Sequence, residues 1–206
     1  MFNPHVRPGF LEVLCGPMKS GKTHALIHRV DKLTYVEEFS FLVVKPSVDT
    51  RDSTVKSRFG ELSLECVFVA DPFEVLSVYA GEQVVVFDEA HFFAVSVVEV
   101  VEELLVRGAH VLVAGLDLDF RGEPFGAMPQ LLALADEVSK LVGVCDVAGC
   151  SLPASRTQRL VDGLPAKYDE PLIVVGDSEE GYQARCKEHH VVPGRPRSKF
   201  SKQKTL

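Results

Sequence analysis

The sequence predicts an α/β protein: a parallel sheet flanked by helices, carrying a phosphate-binding loop, with a small cysteine-bearing lobe attached. Three observations point there. Through residue 144, short β-branched runs alternate with amphipathic stretches. Runs such as Val84-Val85-Val86-Phe87 are continuously apolar, the pattern of a strand buried on both faces. From Cys145 onward the chain turns polar, is punctuated by Gly and Pro, and holds three of the five cysteines.

In chain order, Phe10 to Cys15 reads as a strand. Thr23 to Leu33 reads as a helix, with Leu26, Ile27, Val30 and Leu33 at helical spacing. Phe39 to Val44 is a strand, and Asp71 to Ala80 a helix opened by Asp-Pro. Val84 to Phe87 and His110 to Ala114 are strands on either side of a helix from Val95 to Val106. A helix from Pro129 to Val138 and a strand from Leu141 to Val144 close the first unit. Further on, Ala154 to Leu160 and Leu172 to Val175 read as strands flanking Asp162-Gly163-Leu164-Pro165. The expected division is residues 1–144, 145–192 and a disordered basic tail at 193–206.

A chain of 206 residues with 46% apolar content can bury one compact core. It lacks the roughly 18 consecutive apolar residues of a membrane span, and its start lacks a signal-peptide layout, so it reads as soluble and cytoplasmic. The net charge is −7, although the last 14 residues hold Arg195, Arg197, Lys199, Lys202 and Lys204 with no acid. An acidic body binds phosphate backbones poorly, so neither nucleic acid nor membrane is an expected partner. Five unevenly placed cysteines make no disulfide framework; metal ligation or burial is expected, with Cys15 and Cys66 buried in strands.

Gly16-Pro17-Met18-Lys19-Ser20-Gly21-Lys22-Thr23 fits G-x-x-x-x-G-K-[ST] between a predicted strand and a predicted helix. Such a loop turns backbone N–H groups inward as an anion nest, and glycine lets the backbone approach phosphate oxygens. Lys22 would reach the β- and γ-phosphates of a nucleotide, and the Thr23 hydroxyl would face its Mg²⁺. Asp88-Glu89 ends an apolar strand, where open α/β sheets line their ligand crevice, so Asp88 is the second Mg²⁺ candidate. Glu89 could act on whatever attacks the γ-phosphate, a water or a substrate hydroxyl. Asp88-Glu89-Ala90-His91 also spells a helicase motif, but such motors need two lobes and about 145 residues make one.

Taken together, four ordered blocks resemble the type II thymidine kinases. They are Gly16 to Thr23, Asp49-Thr50-Arg51, Phe87-Asp88-Glu89-Ala90-His91-Phe92-Phe93, and Gly115 to Gly126. Arg156-Thr157-Gln158-Arg159-Leu160 and Gly181-Tyr182-Gln183-Ala184-Arg185-Cys186 are similar to that family as well. The resemblance implies a recombinase-like P-loop domain that transfers the ATP γ-phosphoryl to the 5′-hydroxyl of thymidine in nucleotide salvage. It implies Glu89 as general base, Arg51 near the phosphates, and a nucleoside site lined by Met18, Phe92, Leu116, Phe120 and Phe125. A loop from about Leu160 to Tyr182 would lie over the base, with Thr157 and Val174 as base contacts and Tyr182 on the sugar. A homotetramer and feedback inhibition by thymidine triphosphate follow from the same resemblance. His91 stands where the family often has glutamine, and Lys19 where it usually has an aromatic. The alternatives are a kinase for another pyrimidine deoxynucleoside, or a zinc-containing P-loop ATPase or binding module.

Cys145, Cys150, Cys186 and His189 make C-x4-C followed by C-x2-H, a donor set for a tetrahedral structural Zn²⁺, with the adjacent His190 a competing ligand and His189 the position that the resemblance favours. The family usually has C-x2-C in the first half. Four protein ligands leave no open position for chemistry, and a lobe of about 45 residues is too small to rely on its own core.

Overall fold

The computed structural model describes residues 5–34, 39–48, 54–56, 63–173 and 181–196. Strands β1 (Leu11–Cys15), β2 (Phe41–Pro46), β3 (Thr54–Lys56), β4 (Ser63–Glu65) and β5 (Val67–Val69) come first. β6 (Val84–Phe87), β7 (His110–Gly115) and β8 (Glu137–Lys140) follow. Six of them form one sheet in the order β5-β2-β6-β7-β1-β8, every neighbouring pair parallel. β3 and β4 pair separately as an antiparallel ribbon.

Helices cover both faces, as continuous apolar strands require. On one face Leu26, Ile27, Val30 and Leu33 of α1 (Lys22–Thr34) pack on Val43, Val84, Val86, Leu112 and Ala114. On the other, α3 (Val97–Val106) and α4 (Met128–Leu134) pack on Val13, Val85, Phe87, Val111 and Val113. The strand residues alternate between the two cores, so Val84 and Val86 face α1 while Val85 and Phe87 face α3.

Several expected boundaries change. The helix expected from Pro129 to Val138 ends at Leu134, and Glu137–Lys140 is instead the edge strand β8, paired with β1. Leu131, Leu134 and Val138 recur at helical spacing, which hid an edge strand whose exposed positions are Val138 and Lys140. Asp136 makes the switch, its N–H donating to the Leu11 carbonyl and its carboxylate accepting the Leu11 N–H at 2.9 Å. The strand expected at Leu141–Val144 therefore shrinks to β9 (Gly143–Val144), paired with β10 (Pro153–Ala154). The helix expected at Asp71–Ala80 is reduced to α2 (Glu74–Val78), and Cys66 lies half-buried between β4 and β5.

After β10 comes a second antiparallel sheet of β11 (Arg156–Val161), β12 (Leu164–Pro165) and β13 (Tyr182–Arg185), in the order β12-β11-β13. Asp162 (φ 50°) and Gly163 (φ 76°) form the two-residue turn between β11 and β12. The hairpin partner of β11 is thus Leu164–Pro165. The strand expected at Leu172–Val175 is not formed at Leu172 and Ile173, and its remainder lies outside the described residues.

One buried charge cluster ties the sheet to α1 and makes stability depend on pH. Glu12 of β1 accepts hydrogen bonds from Arg29 Nε (2.8 Å) and Arg7 (2.8 Å) and contacts His110 Nε2 at 3.0 Å. Burial pushes its carboxyl up, but the bonds from Arg29, His110 and Arg7 outweigh burial and hold it well below the ordinary value of 4.5. A depressed folded-state value contributes stability that is present above pH 4.5 and lost as pH falls toward the folded value. Thermal melting between pH 6 and 3 is expected to show a loss on the order of 2 kcal/mol from this group. That share of the slope should be missing in Glu12→Gln.

Candidate active site

The site forms where the strand ends are drawn together by the sheet order. β7 lies between β1, which feeds the phosphate loop, and β6, which ends in Asp88-Glu89. The C-terminal ends of β1, β7, β6 and β2 thereby deliver Gly16, Leu116 and Asp117, Asp88 and Glu89, and Lys45 to one edge.

Residues Gly16 to Gly21 form the loop between β1 and α1, and Lys22 and Thr23 begin the helix. Gly16 has φ +144°, and a Cβ there would lie 2.3 Å from the Leu141 carbonyl oxygen, so no other residue fits without moving the backbone. Inside the loop, Lys22 Nζ and Ser20 Oγ each donate to the Pro17 carbonyl at 2.7 Å. Burial pushes the Lys22 ammonium below the usual lysine range, against the pull of Glu89, Asp88 and Asp117. Three carboxylates are thus arranged around one lysine.

Asp88 is buried and accepts the Glu89 N–H at 3.0 Å. Burial and the neighbouring Glu89 charge push its carboxyl up to about 7, opposed by Lys45, the Glu89 N–H and Lys22. A hard cation beside it would restore the ionised form, and its oxygen donors suit Mg²⁺. Glu89 adopts a left-handed conformation, φ 52°, ψ 39°. For a non-glycine residue this costs about 1–3 kcal/mol and persists only where the surroundings enforce it. Here the chain is fixed on both sides by the Asp88 carboxylate and by the Phe92 N–H donating to the Glu89 carbonyl at 3.0 Å.

Next to Glu89, the short 3₁₀ turn Ala90–Phe92 puts His91 and Phe92 against Phe125, with ring centroids 4.1 Å (His91–Phe92), 4.8 Å (His91–Phe125) and 6.0 Å (Phe92–Phe125) apart. Leu116 follows β7 directly and donates its N–H to His91 Nδ1 at 3.1 Å. Phe120 is buried on the loop after β7. The guanidiniums of Arg121 (5.5 Å) and Arg159 (5.6 Å) lie near its ring. The described part of the following loop is anchored to this element. Tyr168 OH donates to Glu123 at 2.8 Å, and Arg159 donates to the Pro171 carbonyl at 2.6 Å. Thr157 on β11 accepts the Met18 N–H at 3.0 Å, and Tyr182 on β13 pairs with Arg159. Arg51 and Val174 lie outside the described residues.

Cys145, Cys150, Cys186 and His189 converge, one ligand atom from each lying within 4.8 Å of the others. His189 Nδ1 is 3.6 Å from Cys145 Sγ and 3.4 Å from Cys186 Sγ, close to the edge of about 3.6 Å that a zinc tetrahedron sets between sulfur and nitrogen ligands. The wide C-x4-C spacing closes through a turn in which the Cys150 N–H donates to the Val147 carbonyl and Gly149 takes φ +79°. Burial raises the Cys145 thiol, but N–H groups of Cys186 and Val147 and bonds with His189 and Cys150 bring it down to about 6. A thiol this acidic is readied for metal. The donor set and spacing fit zinc.

Sequence reasoning missed three participants. Lys45 is a buried cation near Asp88 within an apolar strand, and that break in the Phe41-Leu42-Val43-Val44 run was its signal. Asp117 is buried, salt-bridged to Lys140 at 2.7 Å, and sits beside the strand end that faces Lys22. Asp146, next to Cys145 of the cysteine cluster, accepts from Lys19 Nζ at 3.0 Å and from the Ala184 N–H at 2.9 Å. This joins the phosphate loop to the cysteine cluster, and no pattern in the sequence announces it.

A family model described as thymidine kinase matches residues 9–190. A curated protein named thymidine kinase, from Coprothermobacter proteolyticus, is 47% identical over 193 residues, covering 93% of this chain and 96% of that protein.

Proposed function

Because the chain belongs to the thymidine kinase family, we propose that it transfers the γ-phosphoryl group of ATP to the 5′-hydroxyl of thymidine, yielding thymidine monophosphate and ADP. The observation that carries this reading is the meeting of the phosphate loop, the buried Lys22 and the Asp88-Glu89 pair at one sheet edge, with an aromatic cluster beside Glu89. Phosphoryl transfer needs positioning and charge neutralisation more than covalent chemistry from the protein.

Loop N–H groups from Lys19 to Lys22 hold the phosphates, and Lys22 moves from the Pro17 carbonyl onto the β- and γ-oxygens. Thr23 and Asp88 would hold Mg²⁺, which supplies further neutralisation of the phosphate charge. Arg51 is assigned to the phosphates. Glu89 accepts the proton of the 5′-hydroxyl as that oxygen bonds to the γ-phosphorus and the bond to ADP breaks. Phe92, Phe120 and Phe125 with Met18 and Leu116 wall the thymine, Thr157 and the backbone at Val174 read its edge, and Tyr182 meets the sugar. Zinc on Cys145, Cys150, Cys186 and His189 is structural. Assembly as a homotetramer, inhibition by thymidine triphosphate and a cytoplasmic salvage role belong to the same reading. Among the described residues, no helix is long and apolar enough to cross a membrane.

An acceptor panel tests the assignment. Thymidine, deoxyuridine, deoxycytidine and deoxyadenosine are supplied with ATP and Mg²⁺, and nucleoside monophosphate is quantified. Thymidine is expected to have the highest kcat/KM. A higher value for deoxycytidine would move the assignment to another pyrimidine deoxynucleoside, and no monophosphate from any acceptor would overturn it.

A further inference from the structure

We propose that His91 is the positioning residue of the proton acceptor: its Nε2–H holds the Glu89 carboxylate in the orientation that receives the 5′-hydroxyl proton. The inference rests on Glu89 being that acceptor.

The tautomer is assigned by a backbone hydrogen bond. The Leu116 N–H donates to His91 Nδ1 at 3.1 Å, so Nδ1 presents its lone pair and the ring proton sits on Nε2. That Nε2 lies 3.6 Å from Glu89 Oε2. The separation is a few tenths of an ångström longer than a direct hydrogen bond, and catalytic contacts of this kind tighten in the reacting complex.

His91 is held on every side. It is 2% exposed, and its ring packs against Phe92 and Phe125. Gly126, at φ +52°, brings its own backbone so near that a Cβ would lie 2.4 Å from the His91 carbonyl oxygen. A Cβ on Gly115 would lie 3.3 Å from the His91 N. A ring fixed this firmly transmits its orientation to whatever it contacts. Glu89, by contrast, carries a side chain 27% exposed, with several rotatable bonds of its own. One imidazole therefore joins the end of β7, the aromatic wall and the carboxylate.

Two substitutions separate this role from simple packing. Glutamine places its amide nitrogen close to the position of imidazole Nε2, so His91→Gln keeps a donor toward Glu89 and loses the acceptor for Leu116. Asparagine places its carbonyl oxygen close to Nδ1, so His91→Asn keeps the Leu116 contact and loses the donor. Positioning predicts that His91→Gln retains kcat within about threefold, whereas His91→Asn lowers kcat about 10- to 100-fold with both KM values little changed. A packing role predicts the reverse order, with His91→Asn the milder variant. In a Glu89→Gln background, His91→Asn should add no further loss. Wild-type kcat in His91→Asn, or a larger kcat loss in His91→Gln, would overturn the inference. Wild-type activity in Glu89→Gln alone would instead overturn the assignment of the proton acceptor. The ¹⁵N shifts of the histidine-labelled wild-type protein give a readout independent of how the variants fold. A His91 protonated at Nε2 is expected, and one protonated at Nδ1 would refute the proposal.

Discussion

Glu89→Gln is expected to lower kcat for thymidine by about 10²- to 10⁴-fold while leaving the KM for ATP near its wild-type value. Glutamine preserves the length and hydrogen-bonding reach of the side chain, so the phosphate loop and the Asp88 contact to the residue 89 N–H survive. What disappears is the group that accepts a proton. Because the loss falls in the transition state and not on bound nucleotide, it appears in kcat. The left-handed backbone at this position strengthens the expectation, since strain at a non-glycine residue marks a place where side-chain direction is being imposed. Steady-state kinetics with saturating thymidine and varied ATP measure both terms together. A variant with unchanged kcat would show that the proton leaves by another route.

Removing the zinc proposed for the cysteine cluster is expected to have the other large effect. Without a cation among Cys145, Cys150, Cys186 and His189, the second sheet of three short strands has little apolar core of its own. Binding zinc to a comparable structural site contributes about 10–16 kcal/mol of apparent free energy, which is largely folding free energy of the region it staples. Cys186→Ser should therefore lower zinc content from about one equivalent per chain to near none, together with a pronounced drop in melting temperature. The damage should reach the active site through two contacts, Lys19 to Asp146 and the Met18 N–H to Thr157, both of which cross from the phosphate loop to this region. Elemental analysis with thermal melting checks the prediction. Full stability in metal-free protein would refute it.

The parts of the site that were legible in the sequence are those whose chemistry is written in contiguous residues. Gly16 to Thr23 announces a loop because glycines and a lysine at fixed offsets serve one local geometry, and Gly16 does meet the backbone of Leu141 where a side chain could not. Asp88-Glu89 stood out because two acids ended an apolar run. The cysteines were readable from spacing and His189 was preferred over the adjacent His190 on the family pattern; the structure brings these four together. Residues that act only through the sheet order were not legible. Asp117 matters because β7 lies between β1 and β6, and Lys45 because β2 lies beside β6. The β7–β1 and β2–β6 pairs join strands that are not successive in the chain. The misread helix at Pro129–Val138 has a local cause: Val138 continued a 3.6-residue period by coincidence, while the Asp136 contacts to Leu11 turned the chain into an edge strand. Lys19 stands where the family usually has an aromatic and Asp146 lies inside the widened C-x4-C, and the two meet in a salt bridge.

The fate of the γ-phosphoryl group tests the central claim most directly. With ATP labelled at the γ-phosphorus, Mg²⁺ and thymidine, the label is expected in thymidine 5′-monophosphate, one equivalent per ADP formed, with little ADP formed when thymidine is withheld. Label released as inorganic phosphate at the same rate with or without thymidine would contradict the account and identify the site as that of an ATPase.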